Sequence, residues 1–321
     1  MGWWKVSADT LAESRFVISP LAETTASLLA LDRRRAAHPG ERRWLDEHHA
    51  AYLGYASDHP AIPALMRIAA GHCWIPSLIT AAPASPGELS FDDEVRQIGA
   101  LTPADVAADL AAIGLRAVGD DLPRQAAALL EWVWVNTVLP YWPTRRRIIE
   151  ADIVARTTEL GRGGWPAALS GMSPGKRWLG DGRLQINALD NPPREISGAQ
   201  LFFVPVTPAT GGWAAWDEPR RYALTYQCSG ALAGHGAGAA APETLAALLG
   251  PARAAILTLL DTPKSTTQLV ALTGQRLGSV GRHLGILRAA GLLDRGRAGR
   301  SVLYRRSPAG DLLVRIQHEA K

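Results

Sequence analysis

The 321-residue sequence predicts an α+β chain that is mainly helical: a helical N-terminal domain with a small antiparallel sheet, then a C-terminal domain of short helices closed by a β-hairpin. Three observations carry that expectation. Apolar residues recur at helical spacing through most of 13–171. From about 172 the pattern changes to short strand-like runs separated by Gly, Pro, Asp and Asn turns. Beyond Pro242, helix-like runs lead into a strand, a basic Gly-rich turn and a second strand. With 47% hydrophobic residues the chain can build real cores, and its length suits roughly two domains of about 150 residues.

Taking the elements in order, Arg15-Phe16-Val17-Ile18-Ser19-Pro20 is a short apolar start, and helices are expected near 21–35, 41–57, 60–71, 92–98, 103–113 and 122–139. Pro140 and Pro143 bracket Trp142, and a further helix is expected from Thr144 to about Leu160, where Gly161, Gly163 and Gly164 end it. Residues 1–171 thereby form a helical body, assigned to effector binding and dimerisation. Its most apolar stretch, Ala126 to Trp142, holds Glu131 and Asn136 and falls short of the roughly 20 residues that cross a bilayer. Its apolar positions lie on every side of a helix, which marks a buried core helix.

Strand-like runs at Leu184–Ile186, Gln200–Val206 and Arg221–Cys228 predict a small antiparallel sheet over 172–229, packed on that body. The run SGALAGHGAGAAA, Ser229 to Ala241, has no apolar periodicity and reads as a linker, with 230–241 as the domain boundary.

Residues 242–321 form the second domain. One helix carries Leu245, Leu248, Leu249, Ile256, Leu257 and Leu260, jogged at Gly250-Pro251. Ser265 or Thr266 begins a short helix, Gly274 makes the turn, and Gln275 to Ala290 forms the next helix, with Leu277, Val280, Leu284 and Leu287 facing the core. Leu292 to Arg306 reads as strand, basic turn, strand. That order is a winged helix-turn-helix.

Charge agrees with this reading. Residues 243–321 hold 12 Lys+Arg against 5 Asp+Glu, whereas the other 242 hold 22 against 25, so the basic excess sits at one end of the chain. Double-stranded DNA is the expected partner, because a major groove admits one helix and is read by short polar and forked basic side chains. The candidate contacts are Thr266, Gln275, Arg276, Ser279 and Arg282 on the helices, and Arg295, Arg297, Arg300 and Tyr304 on the wing.

Several segments of this domain resemble the ArsR-type winged-helix repressors of bacteria. They are Leu249-Gly250-Pro251-Ala252-Arg253 with Ile256-Leu257, Ser279-Val280-Gly281-Arg282-His283-Leu284, Leu287, Ala290-Gly291-Leu292 and Gly299-Arg300-Ser301-Val302-Leu303-Tyr304. The resemblance implies a homodimer on a pseudo-palindromic operator near its own promoter, released when an effector binds. Members usually carry a hydroxyl residue where this chain has Gly281. Metal-sensing members use cysteines where this chain reads Thr266-Thr267-Gln268-Leu269-Val270-Ala271-Leu272, so thiolate sensing is not expected there. Upstream, Phe16-Val17-Ile18-Ser19-Pro20-Leu21, Tyr141-Trp142-Pro143-Thr144-Arg145 with Glu150-Ala151-Asp152-Ile153, and Phe202-Phe203-Val204-Pro205 resemble a domain of unassigned function fused ahead of such winged helices in GC-rich bacteria.

All eleven tryptophans lie between Trp3 and Trp216. Trp132, Trp134 and Trp142 either fill a core or, with Trp74 and Arg145, wall a pocket for a small organic effector. The Asp46-Glu47-His48-His49 cluster reads as a solvated helix face rather than a metal site. Gly171-Met172-Ser173-Pro174-Gly175 imitates a hydrolase elbow without its strand–turn–helix context, and Gly234-His235-Gly236 imitates a dinucleotide turn inside the linker. No catalysis, cofactor or metal is expected. Two cysteines, Cys73 and Cys228, are too few for a disulfide framework, and the first nine residues lack the order of a signal peptide. The expectation is a cytoplasmic, nucleoid-associated transcription regulator without a membrane partner. The alternative is a protein-interaction or uncharacterised-activity domain that the winged helix tethers to DNA or dimerises.

Overall fold

The computed structural model describes residues 2–36, 39–71, 75–87, 89–111, 114–116, 121–169, 172, 175–210, 212–217, 220–228, 242–260, 263–298 and 301–319. The chain opens with β1 (Trp3–Lys5), α1 (Ala8–Glu13), β2 (Arg15–Phe16) and α2 (Pro20–Arg33). Helices α3 (Pro39–Asp58), α4 (Ala61–Gly71), α5 (Phe91–Gly99), α6 (Pro103–Ala111), α7 (Leu122–Val133) and α8 (Trp142–Ala168) follow. Then come β3 (Arg177–Gly180), β4 (Arg183–Gln185), β5 (Arg194–Glu195), β6 (Gln200–Val206), β7 (Ala214–Asp217) and β8 (Arg221–Gln227). From residue 242 onward lie α9 (Glu243–Leu249), α10 (Pro251–Leu259), β9 (Lys264–Ser265), α11 (Thr266–Thr273), α12 (Leu277–Ala289), β10 (Leu293–Ala298), β11 (Ser301–Arg306) and α13 (Pro308–Glu319). The fold is α+β and mainly helical. Among the described residues no helix is long and apolar enough to cross a membrane.

Helix α2 is the axis of the body, buried on every side from Pro20 to Leu31. Ser19 caps it by accepting from Ala22 N at 3.0 Å, and the Glu94 carboxylate accepts from Leu21 N at 2.8 Å. Its polar residues survive burial because each finds a partner: Thr24 Oγ1 donates to Pro20 O at 2.8 Å and Thr25 Oγ1 to Ile79 O at 2.5 Å. The expected run 122–139 is α7, then a π turn (Trp134–Val138) and a 3-10 turn (Leu139–Tyr141) leading into α8. Pro140 lacks an N–H, so the regular ladder cannot run straight through. Helix α8 does not stop at the Gly161–Gly164 cluster; it kinks at Gly163 and Gly164, whose dihedrals are non-helical, and continues to Ala168.

The small antiparallel sheet expected over 172–229 is corrected to two four-stranded sheets, ordered β3-β4-β1-β5 and β2-β6-β8-β7. The central pair of the second sheet, β6 and β8, is parallel from Gln200↔Arg221 to Val206↔Gln227, and β2 joins β6 in parallel. The physical reason lies in burial. Phe202, Val204 and Val206 face the helical body, whereas Leu201 and Phe203 face the cluster that holds Trp4, Leu184 and Ile186 of the first sheet. Strands covered on both faces are apolar at nearly every position, a habit of parallel pairs rather than solvent-facing antiparallel ones.

Two buried ion-pair clusters lock α8 in place. Arg145 donates to Glu23 Oε1 at 2.8 Å and Ser27 Oγ at 2.7 Å, and Glu23 also accepts from Thr207 N at 2.8 Å. Further along, Arg156 Nε and the Tyr226 hydroxyl both donate to Asp152 Oδ2, at 3.0 and 2.8 Å. The first joins α8 to α2 and the second to β8.

Candidate nucleic-acid interface

The C-terminal elements pack around Leu245, Ile256, Leu257, Leu269, Val280, Leu284, Leu287, Leu293 and Val314. Ser265 accepts from Gln268 N at 3.2 Å and its own N–H donates to Gln268 Oε1 at 2.6 Å, a reciprocal cap that fixes the start of α11. Gly274 then turns the chain with φ +68°, a left-handed conformation that an L side chain adopts only at a cost. Helix α12 begins three residues later.

Val280, Leu284 and Leu287 are the buried face of α12. Opposite them Arg276, Gly278, Gly281, Arg282, Gly285 and Ile286 are exposed. A Cβ placed on Gly278, Gly281 or Gly285 would meet nothing within 4 Å, so this face is bare backbone flanked by two arginines. Gln275 and Ser279 are half-buried; the Ser279 hydroxyl donates to Gln275 Oε1 at 3.4 Å and lies 3.3 Å from His283 Nε2. These three residues, four apart, form a ladder along one edge of the helix.

Strands β10 and β11 pair antiparallel from Leu293↔Arg306 to Ala298↔Ser301, and β9 adds to β11 through Leu303↔Ser265 and Tyr304↔Lys264. Arg295 is exposed on β10. Tyr304 is half-buried and packs on the hydrophobic cluster, which makes it a support of the hairpin. Thr266, half-buried, is the first residue of α11. The Arg297 side chain and the whole of Arg300 lie outside the described residues, as do the 230–241 linker, Trp74, Ser170-Gly171 and Ser173-Pro174 of the hydrolase-like stretch, and Gly234-His235-Gly236.

Sequence reasoning missed α13 and the neighbours of the α11–α12 turn. Helix α11 packs against α8, and Gly274, Gln275, Arg276 and Leu277 line a cleft of about 400 Å³ with Arg147, Glu150, Ala151 and Val154. An amphipathic reading of α8 could have flagged Val154, which is 52% exposed.

The aromatic residues suggested as an effector pocket are spread over the helical body. Trp134 stacks on Phe91 at 4.8 Å and meets Trp142 edge-on at 5.4 Å, while Trp132 stacks on Tyr55 at 4.9 Å. Arg145 is corrected from ligand anchor to internal ion pair: it is 0% exposed, and its guanidinium lies 4.9 Å from the Trp44 ring centroid. Burial pushes its pKa down and Glu23 opposes that. In the Asp46–His49 cluster the two histidines take different partners, His48 Nε2 sharing a 3.1 Å hydrogen bond with the Tyr141 hydroxyl and His49 Nδ1 lying 3.0 Å from Leu31 O. No family model matches the chain, and neither a curated protein nor a solved structure matches it.

Proposed function

We propose that the chain is a sequence-specific DNA-binding transcription regulator of winged helix-turn-helix type, a repressor released when a small organic effector binds the N-terminal body. The observation that carries the reading is the outward face of α12. Three glycines with open space above them let a phosphodiester backbone or base edges approach the helix closely, and Arg276 and Arg282 frame that face. The adjacent hairpin, with Arg295 exposed, suits a second backbone contact. The resemblance of this region to ArsR-type repressors supports the same reading.

A homodimer completes it. Leu248 of α9 and Leu312 and Ile316 of α13 are 64%, 52% and 49% exposed, on helices that touch each other. An apolar surface of this kind favours a second copy of the chain, and pairing would set two α12 helices about 34 Å apart in successive major grooves. The cleft between α8 and the start of α12 supplies a physical route from body to DNA-reading helix.

The test is a mobility shift on the DNA upstream of the protein's own gene, with scrambled competitor and a salt series. A discrete, competitor-resistant complex that Arg282→Ala weakens about 10- to 100-fold is expected, since a bidentate base contact is worth about 1–3 kcal/mol. Sequence-blind, salt-sensitive smearing with an unaffected variant would sink the proposal.

A further inference from the structure

The cleft of about 400 Å³ between α8 and the start of α12 combines two kinds of chemistry. Ala151 and Val154 of α8 line it together with Val270 of α11 and Leu277 of α12, and no aromatic ring is among its described lining residues. Its apolar surface is therefore aliphatic, and part of it stands open to solvent: Val154 is 52% exposed and Leu277 is half-buried. Its volume falls within the roughly 300–1,000 Å³ of small-molecule sites.

Two arginines, one from each side of the cleft, supply the charge. Arg147 Nε donates to Pro143 O at 3.1 Å, which ties the side chain back along α8. Its Nη1 lies 3.4 Å from where a Cβ on Gly274 would stand, so the guanidinium rests against bare backbone of the α11–α12 turn. Arg276, the exposed residue just before α12, also lines the cleft. Among the described residues neither arginine pairs with a carboxylate. Glu150, the acid among the described lining residues, is engaged by Arg146 Nε at 2.9 Å. Aliphatic walls beside two such guanidinium groups suit a molecule that is an apolar chain at one end and an anion at the other. The chain takes Val154 and Leu277 out of water, and the carboxylate accepts from the forked N–H groups. An inorganic anion would leave the apolar wall wet, and an uncharged hydrocarbon would leave the arginines unused.

We propose that this cleft binds an aliphatic monocarboxylic acid of medium chain length, with its chain along Ala151, Val154, Val270 and Leu277 and its carboxylate on Arg147 and Arg276. This deepens the proposed function and rests on it only in calling the acid the effector; binding itself does not depend on DNA. Gln275 and Arg276 line the cleft and are also proposed to contact DNA, so acid and DNA draw on the same side chains. Each must then weaken the other by the same factor.

The experiment titrates the full chain with hexanoate, octanoate and decanoate, and with the three corresponding primary alcohols, by calorimetry below the micellar range. Decanoate is expected to bind about tenfold more tightly than 1-decanol and roughly threefold more tightly than octanoate, because each buried methylene adds apolar contact. Arg147→Gln and Arg276→Gln are each expected to lose about tenfold in decanoate affinity. Val154→Asp, which sets a carboxylate on the apolar wall, is expected to abolish binding, and Lys5→Met in β1 to bind as the parent does. Arg147, Arg276 and Val154 are all exposed, and circular dichroism checks that each variant is folded. The proposal is overturned by absence of binding at millimolar acid, by equal affinity for acid and alcohol, by unchanged affinity in the two arginine variants, or by inorganic phosphate competing as well as decanoate does. Adding decanoate to the mobility shift separates the two readings. Acid that binds while a specific DNA complex stays intact keeps the site and removes its effector role; acid bound by a chain that forms no specific complex keeps the site and removes the DNA reading.

Discussion

Arg145 and Glu94 show how much of this molecule rests on buried charge. The Arg145 guanidinium is sealed between Glu23, Ser27 and the Trp44 ring, so Arg145→Met would leave the Glu23 carboxylate buried without its counter-charge. A loss of about 3–5 kcal/mol in urea unfolding is expected, and the double variant Glu23→Gln with Arg145→Met should recover most of it. Glu94 behaves differently. Its carboxyl is pushed up to about 7 by burial against the start of α2, while the unfolded chain titrates near the ordinary 4.5. Between those values the unfolded chain gives up a proton that the folded one keeps, so stability falls as pH rises from about 4.5 to 7. Glu94→Gln removes this loss: its stability relative to the parent should rise by at most about 3 kcal/mol across the window and be flat outside it. Parallel pH profiles for the two proteins would refute that assignment.

At the scale of elements, the proposed function turns on α12, whose exposed glycines would set stability against recognition. Gly281→Ala meets no steric obstacle and should raise stability by about 1 kcal/mol through helix propensity. If the bare face is where DNA approaches, the same change should lower operator affinity at least fivefold. A variant with a higher Tm and full affinity would make the glycines structurally incidental. The glycines, arginines and buried leucines of α12 were legible in the sequence, because a period near 3.6 sorts them onto opposite faces without tertiary information. Helices α2 to α7 were legible for the same reason, and the structure adds side-chain caps that were not read in advance, Ser19 and Ser90 among them. The sheets were not. A run such as Leu201-Phe202-Phe203-Val204 states that both faces are covered but not which strand lies alongside, and β1 is only three residues long. Nor could periodicity tell that Arg145 points inward, since its partner Glu23 lies 122 residues away.

The molecule as a whole sets a helical body and a basic C-terminal unit against one another along α8, and the proposed DNA binding carries its own expectations for charge and assembly. Specific binding should fall linearly in a plot of log affinity against log salt, with a slope of about −0.9 for each phosphate neutralised, and Arg276→Ala should flatten that slope by about one unit. If the proposed homodimer pairs through α9 and α13, Leu312→Glu should give monomer in analytical ultracentrifugation at micromolar protein and reduce operator affinity more than Arg276→Ala does. A dimer that survives the substitution would move the interface away from α9 and α13. The position of β1 also bears on how the chain is made. Strand β1, with Trp3 and Trp4, pairs with Gln185, Leu184 and Arg183, which are synthesised about 180 residues later, and at 5–20 residues per second that is a wait of roughly 10–40 s. For that interval the nascent chain carries an unpaired strand with two indoles, a natural place for a chaperone to hold, and synonymous changes that slow elongation before residue 183 should lengthen the exposure and lower soluble yield without altering a single amino acid.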